Sequence, residues 1–406
     1  MTQKRSSMPD SLHLTRRAAL SAFGATAFLG HAAPALAFGN TADVARTSAS
    51  DPRLIILNLR GGLDGLSAVV PYGDPNLIGL RASLLPKTLL KIDGFYATDP
   101  GLPNFHAMVT AGEGLVVHAV GPCAFTRSHF QGQDYLQSGT PALLNNGWLN
   151  RVLSLLPQNG SLQLGLAVSP TTPLVIRGAT QVAGWSTDTH AQINTNLSTL
   201  VQTETSGDGI IGEPTQVALQ DRAIFNAIFA QQTPPASSSR FIYLAGVAGT
   251  CLASSYGPRI AVLETDSVDT HYDQTAHLAS AFSDIDGALA VLKTTLGSAW
   301  ANTVVLTMTE FGRTAYANGS FGTDHGTGFA VLLAGGAVAG GRVVANWPGL
   351  AMPQLFQNRD LYPTTDFRAV ALGILEDHLK IAASQQEFIF PGSTGLVTPL
   401  AGLVYG

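Results

Sequence analysis

The chain has 406 residues, of which 45% are hydrophobic and 12% charged, and its formal net charge is −5 at pH 7. This composition excludes a disordered chain or a coiled coil, since both are much richer in charged residues. No long basic run follows the first 20 residues, so the chain lacks the electrostatic footprint of a nucleic-acid-binding protein. Its length fits one large α/β domain or two to three smaller ones.

The N-terminal segment is typical of an export signal. Residues 11–37 place Arg16 and Arg17 ahead of a short apolar run that ends in Ala-Leu-Ala at residues 35–37, which is the order of a secretory signal. The arginine pair resembles a twin-arginine signal, so the twin-arginine export machinery is an expected partner. The run is too weakly apolar for a stable membrane span. We expect cleavage after Ala37 and a periplasmic or secreted mature protein, and an uncleaved anchor is the alternative.

The mature chain is predicted to hold one domain. Residues 38–52 are small and polar and indicate a flexible leader, and residues 53–406 contain no compositional break. Residues 170–238 are rich in Thr, Ser, Gln and Asn and indicate an insertion or a lid. Cys123 and Cys251 match no zinc or redox motif. An oxidising compartment would permit a disulfide between them, but their interpretation as buried small apolar residues is favoured.

Short apolar, β-branched runs predict the strands of a mainly parallel α/β sheet that is buried on both faces by helices. A helical pattern of apolar residues begins at Ala276, and Asp366 is placed to start another helix. A short apolar run does not by itself exclude a buried helix. The predicted strands begin near Leu54, Leu115, Leu162, Phe241, Arg259, Thr303 and Phe329.

The first polar cluster follows the first predicted strand, at the edge where α/β sheets carry their chemistry. Asp64 stands in the sequence GGLDGL, whose glycines permit a tight turn and would present the carboxylate at this edge. Asp64 is therefore a candidate metal ligand. An ordinary turn aspartate is the alternative.

The second cluster, Thr126 to His129, precedes a predicted helix. A helix N-terminus favours negative charge, so Ser128 would be stabilised there as a nucleophile, and Arg127 is a candidate clamp for a bound anion. The alternative is that Thr126 or Ser128 only caps the helix.

Two later loops combine carboxylates with imidazoles. Asp269 and His271 are alternate residues of one segment and can point the same way, so they are candidate ligands of one ion. Glycines flank Asp324 and His325 and let both face one cavity. Arg313 follows another strand and is a second candidate anion clamp, with an ion pair to a nearby glutamate as the alternative.

These residue types indicate a divalent metal site. Carboxylates mixed with imidazoles suit one or two ions of zinc, manganese, magnesium or calcium. Such a site supports hydrolysis of a phosphoryl or sulfuryl ester, since the metal and an arginine neutralise the developing charge. The sequence contains no GxxxxGK[ST], GxSxG or HExxH motif, which removes the plainest nucleotide, serine-hydrolase and metalloprotease interpretations.

Several segments together resemble the bacterial family of domain of unknown function 1501. They are LNLRGGLDGLSAVVPYGDP, TRSHFQGQDYLQSG, DTHYDQ, TEFGRTAYANGSFGTDHGTG and TTDFRAV, and the resemblance runs from about residue 53 almost to the C-terminus. It implies the doubly wound fold and binuclear metal site of the alkaline phosphatase and sulfatase superfamily. Activity does not follow from fold alone.

The resemblance also implies roles for individual residues. Asp64, Asp324 and His325 resemble ligands of one metal, Asp269 and His271 resemble ligands of the other, and Ser128 resembles the nucleophile. The superfamily supplies a further C-terminal histidine, whereas the only histidine after His325 is His378, in a segment that reads as an exposed helix. His129 or Glu310 would then substitute, or the site would hold a single ion.

Two functions follow as hypotheses. The first is an exported, metal-dependent hydrolase of a small anionic phosphate or sulfate ester. The alternative is a catalytically inactive binding or assembly module of the cell envelope on the same fold.

Overall fold

The computed structural model describes residues 48–157, 164–186, 195–205, 207–209 and 212–406. The predicted export signal and most of the predicted leader lie outside these ranges. The described residues fall into two compact units, one within Ser186–Asn226 and the other made of the described residues before and after it. Whether the smaller unit acts as a lid stays a prediction.

The main sheet is built around β1 (Arg53–Leu59), which pairs in parallel with β8 (Ile260–Thr265) and β9 (Thr303–Met308). Its other strands are β5 (Gly114–Gly121), β6 (Gly165–Val168), β7 (Ala183–Trp185), β10 (Phe329–Ala334), β11 (Arg342–Val344) and β12 (Thr365–Asp366). The order is β11-β5-β10-β9-β1-β8-β6-β7, with β12 beside β5. Only β10 among these described strands runs antiparallel to its neighbours.

A small antiparallel sheet and the helices complete the described elements. The small sheet has the order β2-β4-β3, from β2 (Val69–Val70), β3 (Leu90–Lys91) and β4 (Ala97–Thr98). The α-helices are α1 (Gly65–Ala68), α2 (Leu77–Arg81), α3 (Pro103–Thr110), α4 (His129–Ser138), α5 (Trp148–Leu155), α6 (Thr195–Thr205), α7 (Gly212–Gln231), α8 (Arg240–Ala253), α9 (Gln274–Leu296), α10 (Phe367–Asp377) and α11 (Gln386–Ile389). Short 3₁₀ helices cover Ala82–Leu84, Leu174–Ile176, Gly297–Asn302, Met352–Gln354 and Ala383–Gln385.

Both faces of the main sheet are buried, which explains the continuous apolar runs of its strands. Every residue of β1 is buried. Leu54 and Ile56 join a core that includes Val152 of α5 and Val370 of α10, while α8 packs against β6 and β8 and against α9. The predicted doubly wound, mainly parallel α/β sheet between helices is therefore confirmed.

Helix starts follow their local sequence. The side chain of Asp366 accepts a hydrogen bond from the Arg368 amide at 2.8 Å and caps α10, as predicted. The helix predicted from Ala276 is α9. Among the described residues, none of the helices combines the length and apolar character needed to cross a membrane.

The strand predicted at Phe241 is wrong, because this segment forms α8. Ser239 caps the helix by accepting a hydrogen bond from the Ile242 amide. Small residues such as Ala245 and Gly249 let α8 lie close to its neighbours, and Gly249 sits against the Thr295 side chain of α9. A buried helix that is apolar all round has no amphipathic period, so its sequence resembles a buried strand.

The two cysteines are both free, and Cys251 is buried whereas Cys123 is partly buried. Burial raises the pKa of the Cys123 thiol to about 11. Cys251 is therefore a buried small apolar side chain, as the sequence favoured, whereas the thiol of Cys123 lies 3.6 Å from the Tyr135 carbonyl oxygen.

His118 on β5 couples the stability of the fold to pH. Its ring is fully buried, its Nε2 lies 3.0 Å from the Val69 carbonyl oxygen, and burial lowers its pKa to about 4. In the unfolded chain the pKa of a histidine is near 6.5, so between about pH 6.5 and pH 4 the unfolded chain binds more protons than the folded protein. We therefore expect the free energy of unfolding to fall by up to about 3 kcal/mol from pH 7 toward pH 4 through this residue. Urea titrations of metal-free protein measure this loss.

The control for this prediction is His118→Gln, which has no titrating ring. The variant should lose less stability than the parent protein over the same pH interval, whatever its stability at neutral pH. Equal losses in the two proteins would show that His118 does not contribute.

Candidate metal centre

Histidine and carboxylate side chains converge at one edge of the main sheet. Strands β5, β8 and β9 run in the same direction, because β8 and β9 are both parallel to β1 and both β5 and β9 are antiparallel to β10. The loops after these strands therefore leave at one edge. They supply His129 after β5, Asp269 and His271 after β8, and Glu310 with Asp324 and His325 after β9.

The centre of this group can accommodate a cation. Nitrogen or oxygen ligand atoms of His129, Asp269 and His325 all lie within 4.8 Å of one another. His271 Nε2 lies 2.9 Å from His325 Nε2 and 3.1 Å from Asp269 Oδ1. The Asp269 side chain is 41% exposed, so solvent and ligands can reach the group. We call these four residues the His–Asp cluster.

A carboxylate fixes the His129 ring within the cluster. Its Nδ1 lies 2.7 Å from Glu310 Oε1, and this hydrogen bond is the main cause that raises the pKa of His129. The buried Glu310 is itself held by the Gly61 amide and the Gln133 side chain, each at 2.8 Å. The other ring nitrogen, Nε2, is buried, makes no hydrogen bond and lies 3.3 Å from Asp269 Oδ2. This is the carboxylate–histidine arrangement that orients metal ligands.

A backbone carbonyl fixes the tautomer of His325. Its Nδ1 lies 2.7 Å from the carbonyl oxygen of Arg127, which can only accept, so Nδ1 carries the hydrogen and Nε2 keeps its lone pair in the neutral ring. Burial is the main cause that lowers the pKa of His325, and the positive charge of Arg313 adds to it. The neutral ring is the form that binds a metal.

Arg313 braces Asp269 and does not face the opening of the cluster. Its side chain is fully buried and donates hydrogen bonds to Asp269 Oδ1 and to the carbonyl oxygens of Gly61, Gly62 and Thr323. Burial alone would raise the pKa of Asp269, but the bond and charge of Arg313, with nearby histidines, lower it. Arg313 was predicted to bind an anion. Its guanidinium is instead surrounded by backbone carbonyl oxygens and Asp269, so it is not presented to a ligand.

Glycine brings the loop after β1 against this brace. Gly61 has a φ of +121°, and a Cβ atom there would lie 2.6 Å from the Asp269 amide nitrogen. Only glycine tolerates both the backbone conformation and the contact. Gly61 thus lets the loop after β1 pack against the Asp269 backbone. The carbonyl oxygens of Gly61 and Gly62 also hold Arg313, which in turn binds the Asp269 carboxylate.

Asp64 lies apart from the His–Asp cluster, in a buried ion pair with Arg81. Its carboxylate also accepts hydrogen bonds from the Leu66 amide at 3.1 Å, the Ser67 hydroxyl at 2.9 Å and the Gln274 side chain at 2.5 Å. Asp64 also caps α1. Its contacts are those of an ordinary turn aspartate, which was the alternative to a metal ligand. The structure does not bring this predicted ligand together with the other four.

The remaining predicted residues border the cluster. Asp324 Oδ1 lies 3.4 Å from His271 Nδ1, on the side of that ring away from His325. Ser128 is exposed at the N-cap position of α4 and makes no side-chain capping bond. Arg127 pairs with the buried Asp360 at 2.7 Å, and its side chain is 38% exposed.

His378 is buried, which corrects the exposed helix expected there. It follows α10, and its Nε2 lies 2.9 Å from the carbonyl oxygen of Arg53. His129 and Glu310, which sequence reasoning named only as substitutes, instead lie within or against the His–Asp cluster. The signal for both is that they follow β5 and β9 at the same edge of the sheet, Glu310 two residues after β9 ends and His129 after the loop of residues 122–128.

Glu310→Gln tests the cause of the raised pKa of His129. The neutral amide removes the negative charge beside Nδ1, so we expect the pKa of His129 to fall in metal-free protein. Histidine ring signals followed by NMR across pH measure this value. Glu376→Gln, a charge change on α10, serves as the control and should leave the pKa of His129 unchanged, and an equal value in Glu310→Gln would contradict the assignment.

The fold and this cluster define an α/β protein with a candidate metal centre at the carboxyl edge of its sheet. The chain belongs to the family described as "Protein of unknown function (DUF1501)", which matches residues 82–389. This confirms the family resemblance over residues 82–389, and the first motif, at residues 57–75, lies before the matched range. No curated protein matches the chain.

Several solved structures show weak similarity. Human ectonucleotide pyrophosphatase / phosphodiesterase 5 is 12% identical with a TM-score of 0.30, over 64% of this chain and 57% of that one, which is less than two thirds of its length. The phosphonate monoester hydrolase of Agrobacterium radiobacter is 12% identical with a TM-score of 0.34, over 86% and 79%. The C-terminal periplasmic domain of EcEptC from Escherichia coli, solved in complex with Zn, is 11% identical with a TM-score of 0.34, over 70% and 73%. Similarity at this level assigns no activity to this chain.

Proposed function

We propose that this protein is an exported, metal-dependent hydrolase of phosphate or sulfate esters. The observation that carries the proposal is the convergence of His129, Asp269 and His325, whose ligand atoms all lie within 4.8 Å of one another, with the exposed Ser128 directly before His129 in the chain. His129 Nε2 makes no hydrogen bond and lies 3.3 Å from Asp269 Oδ2, so a cation between the two groups would have both as ligands. The predicted signal at residues 1–37 supports export by the twin-arginine machinery.

The donor set favours zinc among the four candidate metals. His129, Asp269 and His325 would hold the ion, with His271 beside them. Imidazole nitrogens suit zinc, whereas magnesium and calcium prefer sites made of oxygen ligands alone. When bound, the ion would supply positive charge against the charge that develops on the ester oxygens.

The chain's own residues would complete the reaction. Ser128 stands at the N-terminus of α4, where free backbone amides and the helix dipole stabilise an anion. Its hydroxyl oxygen would attack the phosphorus or sulfur atom and lose its proton to solvent as the bond to the ester oxygen breaks, and the leaving alcohol would take up a proton from solvent. A water molecule would then hydrolyse the seryl ester and restore the Ser128 hydroxyl. Arg127, held by Asp360 and partly exposed, would bind another oxygen of the small anionic ester.

A substrate screen tests the proposal. Purified mature protein is loaded with zinc, manganese, magnesium or calcium and assayed with generic phosphate and sulfate esters, with untreated and chelator-treated protein in parallel. We expect turnover that depends on zinc and disappears with the chelator. No turnover with any of these ions would contradict the proposal.

Ser128→Ala tests the proposed nucleophile. Loss of the attacking oxygen should lower kcat by more than about 1,000-fold, since removal of a catalytic nucleophile is among the costliest single changes. Ser128→Thr keeps a hydroxyl and should retain more activity, and zinc content should be unchanged in both. Ser128→Ala protein with near-parental kcat would remove Ser128 from the mechanism.

The saturated contacts of Asp64 favour a second candidate function. If catalysis required Asp64 to bind a metal ion, the buried ion pair with Arg81 would prevent it. The chain would then be catalytically inactive and would serve as a binding or assembly module of the cell envelope. Metal analysis distinguishes the two functions. Tightly held zinc supports the hydrolase, and folded protein that binds no metal supports the module.

A further inference from the structure

We propose that the metal centre is mononuclear, because the guanidinium of Arg81 permanently occupies the cation position on Asp64. This inference rests on the proposed function, since it concerns how many ions the same centre takes. It departs from the binuclear site that the superfamily resemblance implies.

The contacts of Asp64 leave no room for a metal ion. Oδ1 accepts from the Leu66 amide at 3.1 Å and from Arg81 Nη1 at 3.2 Å. Oδ2 accepts from Arg81 Nη2, from Ser67 at 2.9 Å and from Gln274 at 2.5 Å. Two carboxylate oxygens offer about four lone pairs, and five donors surround them. The residue is also only 1% exposed, so an ion would have to displace buried partners.

Arg81 is built in as a buried charge. Its side chain is completely buried, at the end of α2, and its Nε has no hydrogen-bond partner. A buried ion pair contributes little net stability over an apolar pair of the same size, because both ions lose their hydration. Stability alone therefore does not explain why this pair is buried. We explain it by the position of the Arg81 guanidinium, which supplies positive charge to Asp64 where a second metal ion would bind.

A neutral amide connects this ion pair to the His–Asp cluster. Gln274 donates to Asp64, and its Oε1 accepts from Thr270 at 3.0 Å and from Thr323 at 2.6 Å. Thr270 stands between Asp269 and His271, and Thr323 directly precedes Asp324. The loops of the cluster and the Asp64 pair are therefore fixed relative to each other, while the Asp64 charge is already neutralised.

The number of bound ions tests the inference directly. Metal-free full-length mature protein is titrated with zinc chloride against a chromophoric chelator, and the metal of the dialysed product is counted by elemental analysis. We expect one tightly held zinc ion per chain. Two tightly held ions would overturn this inference alone, whereas none would overturn the proposed metal dependence and this inference with it.

A double variant adds a second measurement. Asp64→Asn with Arg81→Gln removes both charges together and leaves polar groups at both positions. We expect one zinc ion with a Kd within about threefold of the parent value, as for residues that do not ligate it. Loss of the ion would overturn the inference, because it would make Asp64 or Arg81 part of the single metal site. If this variant does not fold, the stoichiometry of the parent protein decides.

Discussion

His325→Ala is expected to lower the zinc affinity of the protein by more than about 100-fold, because loss of even an outer partner of a metal ligand costs 10–100-fold. The argument rests on geometry. The Arg127 carbonyl oxygen lies 2.7 Å from Nδ1 of this ring, so Nε2, which is 2.9 Å from His271 Nε2 and 3.6 Å from Asp269 Oδ1, keeps its lone pair. No other side chain in the cluster has its metal-binding tautomer set by the backbone in this way among the described contacts.

The measurement is competition with a chromophoric chelator for zinc, on protein whose fold is checked by circular dichroism. His277→Ala is the matched control, because this ring lies in the first turn of α9 and contacts the carbonyl oxygens of Tyr272 and Asp273. Its zinc affinity should equal that of the parent. Equal losses in both variants, or none in either, would contradict the assignment of His325 as a ligand.

Asp64→Ala should lower the free energy of unfolding by about 3–5 kcal/mol, because it leaves the buried charge of Arg81 without its partner. The ion pair and four further hydrogen-bond contacts at Asp64 and Arg81 are lost or weakened together. Urea unfolding of metal-free protein measures this loss without any contribution from bound ions. The effect should exceed that of an exposed ion pair severalfold.

Lys293→Ala provides that comparison. Lys293 pairs with Glu113 at the surface, with a side chain that is 43% exposed. Its loss should cost less than about 1 kcal/mol. An Asp64→Ala protein as stable as Lys293→Ala would mean that the Asp64–Arg81 pair does not form, and the account of a filled cation position would fail with it.

The sheet was predictable from the sequence because its strands are buried on both faces. Residues 54–59 and 303–308 read as continuous apolar runs, and both form strands. Phe241 misled the same reasoning because α8 is also buried all round. Periodicity identifies which elements are half exposed, but it does not separate a buried helix from a buried strand.

The cluster was partly predictable for a topological reason. The loops that follow parallel strands all lie at the same edge of the sheet. Asp269 and His325 therefore lie close together, although 56 positions of sequence separate them. The pairing of Asp64 was not predictable, since it depends on where α2 places Arg81. Arg313 illustrates the same limit, because a sequence does not tell whether an arginine faces a ligand or backbone carbonyls.

The zinc-edge anomalous difference map of a crystal of the zinc-loaded mature protein tests the central claim most directly. We predict one strong peak per chain, about 2.0–2.1 Å from Nε2 of His129 and of His325 and bonded to the Asp269 carboxylate. The absence of a peak between these three residues, or a peak on Asp64 in its place, would contradict the account.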